Sequence, residues 1–381
     1  MRIITKSVGN RTPGYPLEAL APLSDYLFLD IETTGLSADK NRVYLIGCLY
    51  HEPSGYKLKQ WFADEIGEEG ELLSSFLLFA ASYRLLVHYN GNQFDLPFLK
   101  KRLLAHGLPD SLSSLDSLDL YQTARRYRRL LGLADCRQQT LEAFLGSGRT
   151  EARSGGDLVE AYAEYVREHS DGLLEILLAH NEADIKGLLS LVPLVAYRDL
   201  FSGTLSVYKA QANYYDDYNG SSREEVLLFF TVEHPLPKPL LGTADHCFVK
   251  IEGTKGLLKV PLLTAELKYF YANYKDYYYF PLEDQAIHKS IASFAERDHR
   301  EQATPSTCYT RKIASFLPQW DLFRRPFFKR SYEDRELFFE MSNDLKQDRA
   351  FLSSYATYVL RHIGDEMSAA AKKAEATKVK G

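Results

Sequence analysis

The stretch Tyr26-Leu27-Phe28-Leu29-Asp30-Ile31-Glu32-Thr33-Thr34-Gly35-Leu36 runs four apolar residues straight into two carboxylates. A short, continuous apolar run closed by a turn signal predicts a strand buried on both faces. Asp30 and Glu32 are two apart, so on a strand their side chains leave the same face. Two carboxylates side by side at the end of a buried strand repel each other and cost stability. A divalent cation removes that cost, and Mg²⁺ and Mn²⁺ choose carboxylate oxygens. Taken alone, the stretch also reads as a surface strand end with two solvated acids.

Two later stretches add to it. Leu85-Leu86-Val87-His88-Tyr89-Asn90-Gly91-Asn92-Gln93-Phe94-Asp95 is a second apolar strand followed by a polar turn and another acid. An Asp before a Pro-containing first turn is by itself an ordinary helix N-cap. Leu178-Ala179-His180-Asn181-Glu182-Ala183-Asp184-Ile185 has helical periodicity, with His180 and Asp184 one turn apart on one face.

Asp-x-Glu-Thr-Thr-Gly, then Asn-x-Phe-Asp, then His-x-x-x-Asp, in that order, resembles the DEDD exonuclease superfamily on the ribonuclease-H-like fold. A finer match runs through Asp116 to Leu120, Arg128 to Leu131, Cys136 to Glu142, Leu145-Gly146 and His180-Asn181-x-x-Asp184. It is similar to the YprB-like ribonuclease-H-like domain family, over roughly the first half of the chain. The resemblance implies a metal-dependent 3′-5′ exonuclease acting on DNA or RNA. Hydrolysing a phosphodiester puts charge on the attacking and leaving oxygens, which two divalent ions roughly 3.5–4 Å apart stabilise together. The implied ligands are Asp30, Glu32, Asp95 and Asp184, with Asp30 bridging two Mg²⁺ or Mn²⁺ ions. Thr33, Thr34 and Leu36 match positions that hold the 3′-terminal nucleotide, although turn chemistry alone also accounts for Thr-Thr-Gly. Asn90 either orders its turn or contacts a phosphate. Asp119 matches a motif position and equally suits a helix cap.

Superfamily members carry a Tyr four residues before the last Asp or a His five before it. Here His180 stands at the four-residue spacing and Ala179 at the five-residue position. Ala179 takes no proton, so His180 is the candidate general base at this motif, with a histidine that caps or packs at a helix end as the plain alternative. Two other functions fit the same residues: a structure-specific endonuclease with this site, and a non-catalytic nucleic-acid-binding protein that kept the fold. The intact set of four acids speaks against the second.

Positioning these residues requires a specific order of elements. Strands are predicted at Tyr26–Asp30, Arg42–Tyr50 and Lys57–Phe62, then a helix over Glu68–Ala81, a strand at Arg84–His88 and a helix opening at Asp95 with Pro97 in its first turn. A short strand near Leu115–Asp119 and a helix through Arg129 follow. Three meandering strands and then alternating helix and strand is the order of a ribonuclease-H-like mixed α/β sheet with flanking helices. Gly146–Gly156 reads as a loop and Gly172–Tyr197 as a helix that Val192-Pro193 kinks.

The chain has 381 residues, enough for two domains. Residues 1–24 read as a polar leader, 25–201 as the ribonuclease-H-like domain, 202–222 as a linker, 223–367 as a smaller α+β domain, and 368–381 as a frayed, disordered tail. In the C-terminal part, strands are predicted at Glu225–Glu233, His246–Glu252 and Leu257–Leu263, and a helix over Pro281–Arg300. Net charge is −5, against a protein coated in positive charge, and compatible with a local basic groove. Arg125 to Arg129, Lys100 to Arg102 and the alternating basic and aromatic run Arg324 to Arg330 are the candidate grooves, and Tyr271 to Tyr279 a candidate base-stacking surface. Cys48, Cys136, Cys247 and Cys308 lack zinc spacing. With no signal peptide and no long apolar run, a cytoplasmic protein is expected.

Overall fold

The computed structural model describes residues 1–148, 155–292 and 296–378. The chain divides into two compact units, Met1–Asp199 with His234–Lys238, and Leu200–Glu233 with Pro239–Gly381. Among the described residues no helix is long and apolar enough to cross a membrane.

The first unit runs β1 (Arg2–Gly9), β2 (Tyr26–Thr33), β3 (Val43–Glu52), β4 (Gly55–Phe62), α1 (Glu69–Ala80), β5 (Leu85–His88), α2 (Asp95–Ala105), β6 (Asp116–Asp119), α3 (Leu120–Tyr127), α4 (Gln138–Leu145), α5 (Gly155–Glu168), α6 (Asp171–Leu191) and α7 (Val195–Ser202). Its sheet has the order β1-β4-β3-β2-β5-β6. The β2–β5 and β5–β6 pairs are parallel and the rest antiparallel. This is the mixed sheet of a ribonuclease-H-like fold. The apolar run of β2 needs cover on both faces because the strand is central. Leu27, Leu29 and Ile31 share a buried cluster with Leu72 and Phe76 of α1, Leu99 and Leu103 of α2, Tyr162 of α5 and Leu177 of α6.

Residues 1–24 are not a detached leader. β1 pairs antiparallel with β4 along the sheet edge, and Tyr15 and Leu17 are buried. An edge strand with both faces largely exposed carries no alternating apolar signal, so hydropathy does not reveal it. The backbone ladder to β4 holds it, and two ion pairs add to it: Arg2 Nε donates to Asp64 at 2.6 Å and Lys6 Nζ to Glu182 at 2.7 Å.

The second unit contains β7 (Ser206–Asp216), β8 (Ser222–Thr231), β9 (Leu240–Ala244), β10 (Cys247–Glu252), β11 (Lys255–Pro261), β12 (Leu263–Phe270), β13 (Tyr277–Phe280), β14 (Gln285–His288), α8 (Lys289–Ala292), β15 (Glu301–Gln302), β16 (Tyr309–Gln319), β17 (Leu337–Glu340), α9 (Asn343–Gln347) and α10 (Arg349–Lys378). Among the described residues these strands form three antiparallel sheets, ordered β7-β8-β11-β10-β9, β12-β16-β17 and β14-β13-β15. The unit is therefore mainly β, and α10 packs on β7 and β9. Residues 202–222 are not a linker: β7 lies there, paired with β8 from Ser206↔Thr231 to Asp216↔Ser222. The Tyr, Asp and Asn that suggested a linker decorate an exposed strand.

Pro281–Arg300 is not one helix: its first part forms β14, and of the predicted helix α8 keeps Lys289–Ala292. Asp284 has φ 49°, and the chain turns there to pair β14 with β13. Tyr279 Oη donates to the Asp284 carboxylate at 2.7 Å, so that acid closes a hairpin rather than opening a helix. The Ala- and Lys-rich segment from Ser368 continues α10 through Lys378, because both residue types favour helix. The part of that tail beyond Lys378 lies outside the described residues, as do 149–154 of the loop predicted over Gly146–Gly156.

Candidate active site

Three elements bring the acids together. β2 and β5 are parallel neighbours, so their C-terminal ends leave the sheet on one side. The β2–β5 pairing stops at Phe28↔Val87, leaving the next backbone N–H groups of β2 beyond its reach. Ile31 N–H donates instead to Asp95 Oδ1 at 3.3 Å. Asp95 is the first residue of α2, with Phe94 at the N-cap position, and its carboxylate turns toward β2. α6 packs on β2 and β3 and supplies His180 and Asp184. His180 Nε2 lies 2.9 Å from Asp184 Oδ2 and 3.8 Å from Glu32 Oε1. Donor atoms of Glu32, His180 and Asp184 all lie within 4.8 Å of one another.

The electrostatics follow from that crowding. Burial pushes Asp30 well above the usual carboxylate range, reinforced by the charges of Asp184, Glu32 and Asp95. Glu32 is raised to about 7, first by burial and then by Asp184 and Asp95, with His180 opposing. Asp95 is raised to about 7 by burial, against hydrogen bonds from the backbone of Asp95 itself and of Ile31. These carboxyls favour protons because the fold provides too little to balance their charge.

That has a measurable sign. Asp95 and Glu32 begin near 3.8 and 4.5 in the unfolded chain and end at about 7 when folded. Between those limits the folded state keeps protons the unfolded chain has lost. The stability they contribute is complete below pH ~4 and disappears as pH rises through about 7. In chelator, Tm is expected to fall by about 5 °C or more between about pH 5 and 8, and millimolar Mn²⁺ to restore it. Asp30→Asn, read by the same thermal scans, flattens the slope. A wild-type Tm that is level or rising over that range, with the same profile in the variant, refutes the electrostatic account.

Behind Asp30 lies a set of polar residues that sequence reasoning missed. Asp30, Gly47 and Gln60 form one cross-strand row through β2, β3 and β4. Asn181, fully buried on α6, sits over that row. Its Nδ2 donates to Asp30 Oδ2 at 2.9 Å, while Gln60 Nε2 donates to Asn181 Oδ1 and to Leu178 O, both at 2.9 Å. A Cβ on Gly47 would lie 2.0 Å from Asn181 Oδ1, so glycine is required for the amide to fit. Asn181 stood in the His180-Asn181 motif without a role. Gln60, on the strand predicted at Lys57–Phe62, gave no signal.

The remaining candidates lie around these acids. The Thr33 hydroxyl donates to Gly35 O at 3.0 Å, and Thr34 Oγ1 accepts from Arg42 N at 3.0 Å, so both close the turn after β2. Leu36 is 87% exposed. Asn90 has φ 60°, and its N–H donates to Asp119 Oδ1 at 2.9 Å. Asp119 also accepts from Tyr121 N and Asn92 N, capping α3 and ordering the Asn90 turn together. The cations flagged on α2 are engaged within the fold: Lys100 with Asp110, Lys101 with Asp39, and buried Arg102 with Glu69. Arg128 donates to Leu133 O and Ala134 O, closing the turn after α3.

Residues 27–196 match the RNase_H_2 family of the RNase_H superfamily. The uncharacterized protein YprB of Bacillus subtilis (strain 168) is 32% identical over 177 residues, 44% of this chain and 41% of the relative. The chain thus spans less than half the length of the curated relative it matches. Among solved structures, the family B DNA polymerase of the archaeon Pyrobaculum calidifontis is similar with a TM-score of 0.39 and 17% identity, covering 46% of this chain and 25% of its own. The zinc-bound E. coli ExoI–ssDNA complex has a TM-score of 0.33 and 14% identity, covering 55% and 54%.

Proposed function

We propose that residues 27–196, a domain of the ribonuclease H superfamily, form a metal-dependent 3′-5′ exonuclease that hydrolyses phosphodiester bonds of DNA or RNA. The observation that carries this reading is the convergence of Asp30, Glu32, Asp95 and Asp184 from β2, α2 and α6, where burial raises Asp30, Glu32 and Asp95 and the neighbouring acids push Asp30 and Glu32 further. An all-oxygen set that repels itself suits a hard divalent cation, so these four residues would hold Mg²⁺ or Mn²⁺. Bound there, two such ions would neutralise charge on the attacking and leaving oxygens.

The chain's own groups have separate tasks. His180, held against Asp184 at 2.9 Å, takes the proton of the attacking water. Asn181 and Gln60 keep the Asp30 carboxylate oriented. Thr33 and Thr34 shape the turn that receives the 3′-terminal nucleotide, and exposed Leu36 offers an apolar face to its base. Asn90 orders the turn before α2 in the left-handed conformation that Asn tolerates. The four cysteines are free thiols, three of them buried, which suits a cytoplasmic setting.

The test is digestion of end-labelled single- and double-stranded DNA and RNA with Mg²⁺ or Mn²⁺. A ladder shortening from the 3′ end is the expected result. Internal cuts alone would replace trimming by the endonuclease reading of the same site. No cleavage of any substrate with either metal removes the enzymatic reading.

A further inference from the structure

The second unit contains a cleft of about 700 Å³. Most of its wall comes from two stretches far apart in the chain, 270–274 and 327–335, with Pro305 beside them; the sequence marks Tyr271 to Tyr279 as aromatic and Arg324 to Arg330 as alternating basic and aromatic. Phe270, Tyr271 and Tyr274 of the first stretch and Phe327 and Tyr332 of the second line it. The rings are held in place. Phe270 meets Tyr332 edge-on with centroids 5.4 Å apart, and Tyr271 stacks on Tyr277 at 4.6 Å. Phe327 and Phe328 separate to opposite sides: Phe328 packs into the core of Leu267, Phe316 and Phe338, which leaves Phe327 for the cleft. The segment is anchored by reciprocal backbone hydrogen bonds between Lys268 and Lys329, at 2.8 and 2.9 Å.

Charge around the rings is mixed. Lys329 and Arg335 line the cleft with Glu333 and Asp334. Asp334 lies 3.7 Å from Arg330, and Lys329 Nζ donates to Tyr332 O at 3.1 Å. A cation seeking the ring faces would meet two positive groups already in the wall. A polyanion would gain little from charge alone. A flat, uncharged ring is what such walls recognise, and a nucleobase supplies one on a chain whose phosphates remain near Lys329 and Arg335.

We propose that this cleft binds nucleobases of a single strand by stacking, with phosphate attraction secondary; this rests on the nuclease reading above, since nucleic acid is that site's substrate. A free mononucleotide presents the same ring, and the experiment separates the two sources.

The full chain is titrated against fluorescently labelled oligothymidylate in chelator, where cleavage is silent. Tyr332 is 42% exposed, so its substitution leaves the core intact. Tyr332→Ala is expected to weaken binding about tenfold, Tyr332→Phe to leave it nearly unchanged, and Arg335→Ala to lower the salt slope by about 1. Hydrolysis of thymidine 5′-p-nitrophenyl phosphate, which calls on the active site alone, should be the same in Tyr332→Ala and wild type. Unchanged oligonucleotide affinity in both Tyr332→Ala and Phe327→Ala overturns the proposal. So does displacement by tetramethylammonium, which marks a cation cage, or by thymidine monophosphate as effectively as by the oligomer, which marks a free-nucleotide site. If the wild type cleaves nothing yet Tyr332→Ala loses binding, only the nuclease reading falls. If the wild type cleaves but the variants bind normally, only the cleft assignment falls.

Discussion

Asp30→Asn is expected to abolish phosphodiester cleavage while leaving the protein folded and, without metal, more stable. Asp30 is the acid that feels the charges of all three others. It is burdened by burial and by three other carboxylates, and Asn181 holds one of its oxygens at 2.9 Å. An amide is nearly isosteric, and its oxygen still accepts the Asn181 hydrogen bond, so the packing survives. Removing one negative charge relieves the repulsion on Glu32 and Asp184. The same change removes a charge that a divalent cation needs. Several kcal/mol of transition-state stabilisation go with it, a loss on the order of 10³-fold or more in turnover. Steady-state cleavage of a labelled strand, thermal melting in chelator and calorimetric Mn²⁺ titration report the three effects. A variant that cleaves within about tenfold of wild type excludes Asp30 from the chemistry. A variant that melts lower without metal refutes the repulsion argument even if activity is lost.

His180→Ala should lower turnover by roughly 10²–10⁴-fold, as loss of a general base does. The geometry makes the metal-affinity measurement decisive. His180 Nε2 lies among the same donor atoms as Glu32 and Asp184, so a ligand role and a base role both bring it to this point. A base is expected to leave Mn²⁺ affinity nearly unchanged when removed, whereas a ligand takes affinity with it. His180→Tyr should recover part of the rate if the position corresponds to the tyrosine branch of the superfamily, to which the four-residue spacing belongs. Wild-type turnover in the alanine variant from about pH 6 to 9, a range bracketing the ordinary imidazole pKa, rules out the base assignment. The four acids then stand alone as the site.

Much of this was legible in the chain before any fold was known. The apolar run Tyr26 to Leu29 pointed to a strand buried on both faces, because four consecutive apolar residues need cover on both. Periodicity located α1, α2 and α6, and i,i+4 spacing put His180 and Asp184 on one helical face. Local patterns predict what neighbouring residues decide among themselves. They failed where the deciding partner lay far along the chain. β1 exists because β4 offers it an edge, and β7 because β8 does, in each case without a buried face to mark the strand. Asp284 closes a hairpin because Tyr279 bonds it. Only tertiary structure could join Gln60, Gly47 and Asn181 behind Asp30, since cross-strand register and helix docking set that row. It also sorted the two adjacent phenylalanines, Phe328 into a core and Phe327 into a cleft. Residue type and spacing therefore determined which groups were available for chemistry. Which oxygen each acid presents, and which proton it keeps, was decided by burial and by the charges that folding brought alongside.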